Sequence, residues 1–194
     1  MKRAIALAAL LTLTLALAGC TADPLAEQYA DGSGQGYISA DGAYYEIPAA
    51  ERDDPIQFEG PTEAGDTLGS DALIGEVYVV NFWYAGCPPC RLEAPDLAAL
   101  SVEYPDVPFV GVNTQDAADV ALVFAQKFGI PYPSILDSGT ASVQLAFAGA
   151  VAPNAVPTTL VIDREGRVAA RISGLIRDKT ILAGMIDRVI DEES

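Results

Sequence analysis

Val77-Tyr78-Val79-Val80-Asn81-Phe82-Trp83 is an apolar, β-branched and aromatic run, and Cys87-Pro88-Pro89-Cys90 follows it after three residues. Next comes Arg91-Leu92-Glu93-Ala94-Pro95-Asp96-Leu97-Ala98-Ala99-Leu100, a stretch rich in helix formers. A buried strand running into a helix is therefore expected, with a CxxC at the junction. That spacing brings two sulfurs within disulfide reach and aims one at a helix N-terminus. There the helix dipole and free N–H groups favour thiolate over thiol. Such a layout suits a dithiol/disulfide redox centre. A purely structural disulfide is the other reading, but a four-residue loop restrains little of the unfolded chain.

Composition narrows the chemistry. The chain has 194 residues, three cysteines and no histidine. Without histidine there is no Ser/His/Asp or Cys/His nucleophilic site and no His-containing zinc site. Arg91 after Cys90 rules out the CxxCH haem-attachment motif. Three cysteines cannot build a four-cysteine zinc site, so no metal and no cofactor beyond a redox-active Cys87–Cys90 disulfide are expected. Hydrophobic residues make up 51 %, enough for a packed core, and the formal net charge is −16. Such an acidic surface argues against nucleic acid and anionic headgroups as direct partners.

The third cysteine has its own context. Met1-Lys2-Arg3 is a short basic start, Ala4 to Ala18 an apolar run, and Gly19-Cys20 follows. The run is shorter than the roughly 20 residues of a spanning helix, so it fits a signal segment. Leu17-Ala18-Gly19-Cys20 resembles the bacterial lipobox, which implies cleavage before Cys20 and lipidation of its thiol. An ordinary secretory signal with an incidental cysteine is the alternative. The expected organisation is a lipoprotein signal peptide over 1–19, a lipidated Cys20 with a flexible tether over 20–54, and a folded domain over 55–194. The Gly/Ser-containing stretch Asp31-Gly32-Ser33-Gly34-Gln35-Gly36 supports the tether. Ala43 to Ile47 is a candidate short strand, forming an edge hairpin with Ile56-Gln57-Phe58.

Beyond the first strand and helix, the pattern predicts a strand over Val107–Asn113 and a helix over Asp116–Phe128, which carries apolar residues at helical spacing: Val120, Val123, Phe124 and Phe128. A short strand over Ser134–Leu136 and a helix over Thr140–Phe147 come next. Strands at Thr158–Ile162 and Val168–Ser173 flank the turn Asp163-Arg164-Glu165-Gly166, a hairpin signature. Ile181, Leu182, Met185, Ile186, Val189 and Ile190 mark a closing amphipathic helix over Lys179–Ile190. The order βαβαβαββα predicts an α/β fold with a mixed sheet.

From about residue 55 to 191 the chain resembles the membrane-tethered thioredoxin-like oxidoreductases of the TlpA/ResA type. The resemblance rests on four ordered motifs: Asn81-Phe82-Trp83 before the CxxC; Cys90-Arg91-Leu92-Glu93-Ala94-Pro95; Phe128-Gly129-Ile130-Pro131-Tyr132-Pro133; and Val156-Pro157-Thr158-Thr159 with Asp163-Arg164-Glu165-Gly166. It implies a thioredoxin fold, its mixed central sheet flanked by helices, with an extra strand/helix insertion and an N-terminal hairpin. It implies an extracytoplasmic thiol-disulfide oxidoreductase, lipid-anchored to the bacterial cell membrane. The expected direction is reduction of exported protein disulfides, apocytochrome c among them, with electrons from a membrane thiol carrier. An oxidant that introduces disulfides, and a non-catalytic lipoprotein binding a partner through the same scaffold, are the alternatives.

Residue by residue, Cys87 at the helix start is expected to be the exposed nucleophile and Cys90 the shielded resolving thiol. By resemblance Val156-Pro157 is a cis bond facing the CxxC, where a partner segment pairs with the Val156 backbone; a plain strand-initiating proline is the alternative. Thioredoxin has a buried Asp where this chain has Asn81, and an amide cannot accept the proton. The resemblance gives that task to Glu93, near the cysteines, against the alternative of a solvated glutamate in the first turns of a helix. Trp83 and Tyr84 border the cysteines, Trp83 on the partner-binding side, although core packing would also produce an aromatic border. Pro95 is expected to kink the helix. Gly86 stands where the family has a bulky residue, which predicts less cover over Cys87.

Overall fold

The computed structural model describes residues 43–150 and 155–192. Among these described residues are eight strands and four α-helices. The strands are β1 (Tyr44–Glu46), β2 (Glu59–Pro61), β3 (Thr67–Gly69), β4 (Tyr78–Trp83), β5 (Phe109–Asn113), β6 (Ser134–Leu136), β7 (Thr158–Ile162) and β8 (Val168–Ser173). The helices are α1 (Pro88–Glu103), α2 (Ala118–Phe128), α3 (Ser142–Ala146) and α4 (Lys179–Asp191).

Six strands form one mixed sheet in the order β1-β8-β7-β4-β5-β6. β4, β5 and β6 run parallel, while β7 is antiparallel to β4 and β8 to β7. The parallel pairs are joined through α1 and α2, as parallel connections require. β4 lies at the centre and all six of its residues are buried. Its period-two alternation divides the core: Tyr78, Val80 and Phe82 join one apolar cluster with Phe58, Val143 and Phe147. Val79 packs on the other face with Leu97 and Leu100 of α1 and Leu182, Met185 and Ile186 of α4. From β4 onward the element order is the expected βαβαβαββα, a thioredoxin-like fold, with β6 and α3 in the place of the extra strand and helix.

Three expectations change. Ile56-Gln57-Phe58 is not a strand, and β1 does not pair with it. The N-terminal hairpin is β2 with β3, whereas β1 adds antiparallel to β8 and covers its open edge. Tyr45 faces Arg171 across that pairing, with the guanidinium 5.8 Å from the ring centroid. Residues 43–54, expected as the end of a tether, are thus built into the domain: the Arg52 side chain is 1 % exposed and bonds Asp163 at 3.1 Å. In α2 the buried residues are Ala121 and Phe124, and Val123 is 63 % exposed. Phe124 stacks on Trp83 with centroids 4.2 Å apart, and burying that ring outweighs burying two valines. α1 runs through Pro95, which sits on the exposed side, so the missing N–H falls away from the core.

Candidate active site

β4 delivers the chain to the site at Trp83, and the turn that follows is held at several points. The Cys87 amide donates to the Tyr84 carbonyl at 3.1 Å, and the Ala85 amide to Asp116 Oδ2 at 2.6 Å. Arg91 Nη1 returns to the Ala85 carbonyl at 3.2 Å. Cys87 is the N-cap of α1, and its Sγ accepts the Cys90 amide at 3.2 Å, as a serine or aspartate oxygen would. Pro88 and Pro89 carry no N–H, so the Cys90 amide is the first helix donor available to that sulfur. Cys87 and Cys90 are joined by a disulfide, their Cα atoms 5.3 Å apart.

Both cysteines are only 2 % exposed, so the expected contrast between an open Cys87 and a shielded Cys90 is absent from this oxidised state. The cause is packing. Cys87 and Cys90 share a cluster with Trp83, Ala94, Ala121 and Phe124, against which Tyr84 and Val156 pack. Gly86 does not uncover Cys87 as expected: a Cβ there would sit 3.3 Å from Tyr84 Cε2, so the Tyr84 ring occupies the space a side chain would fill. Trp83, Phe124 and Phe128 form a ladder of rings, with centroids 4.2 and 4.6 Å apart, and Arg91 and Lys127 lie over the last.

Glu93 is 1 % exposed, which removes the solvated reading. It stands three residues after Cys90 on α1, adjacent on the same helix face. Its Oε1 accepts from Asn81 Nδ2 at 3.0 Å and its Oε2 from the Ile176 amide at 3.0 Å. Burial pushes its pKa up from 4.5 to about 7; the two hydrogen bonds oppose the rise and Asp96 adds to it. Near neutral pH this carboxyl is divided between its two forms, the condition under which an acid or base transfers protons most readily.

Val156-Pro157 is cis, as the resemblance implied. The strand it opens is tied back by the Gly174 amide to the Pro157 carbonyl at 2.8 Å and by Thr158 Oγ1 to the Ala155 carbonyl at 2.8 Å. Val156 touches the cysteine cluster, and Thr159 accepts from the same Asn81 amide that holds Glu93. The structure thus gathers Trp83, Cys87, Cys90 and Val156 in one cluster, with Pro157 next to Val156 in the chain and Glu93 three positions beyond Cys90 on α1. Cys20 lies outside the described residues. Among those residues no helix is long and apolar enough to cross a membrane, and no group of three or more acidic or cysteine side chains could hold a metal.

Sequence reasoning missed the partners that hold these groups. Asn81 was noted only as an amide replacing an acid; its place in a fully buried strand, on the Val79–Trp83 face, was the available signal. Asp116 and Ser134 carried none.

Known proteins agree with this geometry. The Redoxin family model matches residues 47–183. The thiol:disulfide interchange protein HelX of Rhodobacter capsulatus is 35 % identical over 139 residues, covering 70 % of each chain. The thiol-disulfide oxidoreductase ResA of Halalkalibacterium halodurans is 26 % identical over 130 residues, covering 66 % of each. Among solved structures, a DsbF homologue from Corynebacterium diphtheriae superposes with a TM-score of 0.68 at 27 % identity, covering 81 % of this chain and 99 % of that one. A secreted thiol-disulfide isomerase from Corynebacterium glutamicum gives 0.65 at 28 % identity, covering 78 % and 96 %. A disulfide-linked cysteine pair whose first member caps a helix, in a fold shared with proteins that exchange disulfides, leads to one assignment. The chain belongs to the Redoxin family and is a thiol-disulfide oxidoreductase of the DsbE/HelX/ResA type.

Proposed function

We propose that the protein reduces disulfides of exported proteins outside the cytoplasm, with Cys87 as nucleophile, Cys90 as resolving thiol and Glu93 as proton acceptor. The observation that carries the reading is the Cys90 amide aimed at Cys87 Sγ from the first free position of α1. A donor there, added to the helix dipole, stabilises a thiolate on Cys87 and on no other sulfur of the pair.

In the reduced protein the Cys87 thiolate attacks one sulfur of the partner's disulfide. A Cys87–partner S–S bond forms, the partner's own bond breaks, and its second sulfur leaves as a thiolate that takes a proton from water. Cys90 then gives its thiol proton to Glu93 and attacks Cys87 Sγ. The Cys87–Cys90 bond closes, the second partner sulfur leaves, and Glu93 returns the proton to it. Two electrons have passed to the partner, now a dithiol, and this chain is left as the disulfide. Trp83 and the Val156-Pro157 loop receive the partner, whose extended backbone pairs at Val156 in the manner of an added strand. Support for that docking comes from the packing of Val156 against the cysteine cluster and from the motif resemblance.

Lipidation of Cys20 tethers the domain to the membrane, where a membrane thiol carrier resupplies electrons. Leu17-Ala18-Gly19-Cys20 supports this reading, and the relative from Corynebacterium glutamicum is described as secreted. Among exported substrates apocytochrome c is the expected partner class, on the strength of the TlpA/ResA resemblance.

The test is insulin-disulfide reduction by the wild type, Cys87→Ser and Cys90→Ser. Loss of turnover in both, with a trapped mixed disulfide only in Cys90→Ser, is expected; equal residual turnover in Cys87→Ser overturns the nucleophile. A reduction potential near the oxidising end, about −120 mV, would make the protein an oxidant instead. Unmodified Cys20 in protein purified from its native membrane would remove the tether.

A further inference from the structure

Asn81 is a polar side chain in the middle of a fully buried strand, 4 % exposed, and an amide there is costly unless its N–H groups are satisfied. Both are. Its Nδ2 donates to Glu93 Oε1 and to Thr159 Oγ1, each at 3.0 Å. The Thr159 bond is set by the sheet itself, since Asn81 and Thr159 are register partners on β4 and β7. With one N–H fixed by β7, the other is presented to Glu93 in a single orientation. Glu93's second oxygen is held by the Ile176 backbone amide at 3.0 Å.

We propose that Asn81 is a positioning residue for thiol-disulfide exchange, fixing the carboxyl of Glu93 beside Cys90 and lowering the pH at which it accepts the resolving thiol's proton. The proposal rests on the reading of Glu93 as proton acceptor. A donor aimed at a carboxylate favours its charged form, so Asn81 counters part of the cost of burial. A carboxyl held at both oxygens also cannot rotate away from the thiol it serves. Among the described residues the groups that act on Glu93 are Asp96 on its own helix, Tyr132 ahead of β6, the neutral Asn81 side chain on the sheet, itself held by Thr159, and the Ile176 amide. Of these, Asn81 is the side chain that donates to it.

The pH dependence of disulfide reduction and of iodoacetamide labelling of the reduced protein tests this, in the wild type, Asn81→Ala, Glu93→Gln and the double variant. Removing one hydrogen bond to a charge should move the Glu93-dependent midpoint up by about one pH unit in Asn81→Ala. In the Glu93→Gln background the same substitution should move nothing. An unshifted midpoint in Asn81→Ala, with Glu93→Gln altering the profile, overturns the role of Asn81 alone. The same shift with and without Glu93 overturns it too. A wild-type profile in Glu93→Gln removes the proton-acceptor reading and this proposal with it. Should Asn81→Ala not fold, Asn81→Asp keeps the shape and sets two carboxyls to share one proton, so its midpoint must also rise; an unshifted profile there counts against the proposal.

Discussion

Trp83 donates its indole N–H to Ser134 Oγ at 3.2 Å across β5, and Gly111 is the residue that leaves room for that bond. A Cβ at position 111 would lie 2.2 Å from Ser134 Oγ and 2.8 Å from Trp83 Nε1. Gly111→Ala should therefore displace the indole that borders the cysteines and cost about 1–3 kcal/mol of stability. Trp83 is the chain's single tryptophan, so its emission reports the movement directly. Urea unfolding followed by fluorescence checks both. A variant with wild-type emission and midpoint would show that the neighbours yield without cost.

Glu93 also predicts how stability follows pH. Its folded pKa of about 7 lies above the ordinary 4.5, so between those values the folded state holds the proton more firmly than the unfolded chain. The contribution is fully present below pH 4.5 and is lost as pH rises through 7. A displacement of that size corresponds to roughly 3 kcal/mol. Other carboxylates titrate in the same acid range, but the difference between wild type and Glu93→Gln isolates this one. Denaturation of the oxidised protein at pH 4.5, 6 and 8 should show the wild type losing stability relative to Glu93→Gln. Parallel curves would mean that the site relaxes to solvate the charge.

How far the sequence foretells these features depends on how local their causes are. The strand at Tyr78–Trp83, the helix at Pro88 and the hairpin at Asp163–Gly166 follow from periodicity and turn chemistry within a dozen residues, and all form as expected. Cys87 and Cys90 were legible for a similar reason, standing three positions apart at a strand-to-helix junction, whereas Glu93 was legible only through the family resemblance. The partner of Tyr44–Glu46 was not, because the open edge of β8 that it covers is more than a hundred residues away. Glu93 meets the Ile176 amide across 83 positions, and Asn81 meets Thr159 across 78. No local pattern carries such pairings. On α2, apolar residues outnumber the places on one face, and only the position of Trp83 decides that Phe124 turns inward and Val123 outward.

Asp163 holds two arginines at the end of the sheet remote from the cysteines. It bonds Arg52 at 3.1 Å and Arg167 at 2.8 Å, and its own side chain is fully buried. Asp163→Ala would leave the buried Arg52 guanidinium without that carboxylate, a change that costs about 3–5 kcal/mol. Arg52→Ala should cost less, because Asp163 keeps Arg167. Thermal melts order the two variants. Disulfide reduction per folded molecule should match the wild type in both, since β7 runs from the cis-proline loop at one end to Asp163 at the other. A larger loss in Arg52→Ala would assign the main role to its contacts with the Ile47 carbonyl and Glu192.

The two prolines between the cysteines set how many amides reach Cys87. With Pro88 and Pro89 at the first two positions of α1, the Cys90 N–H is the donor to Sγ. Pro89→Ala restores an amide at the second position, from which an N-cap acceptor is commonly reached. A second donor stabilises the thiolate and not the disulfide, so the Cys87 pKa should fall and the couple become more oxidising. One charge-assisted hydrogen bond of about 1.4 kcal/mol corresponds to roughly one pH unit and, for this two-electron couple, to about 30 mV. Thiolate absorbance against pH gives the first quantity, and equilibration with a glutathione buffer the second. Both must move in the stated direction. A thiol pKa that stays or rises would show that the stiffness of the Pro-Pro dipeptide, rather than its missing amides, governs the sulfur.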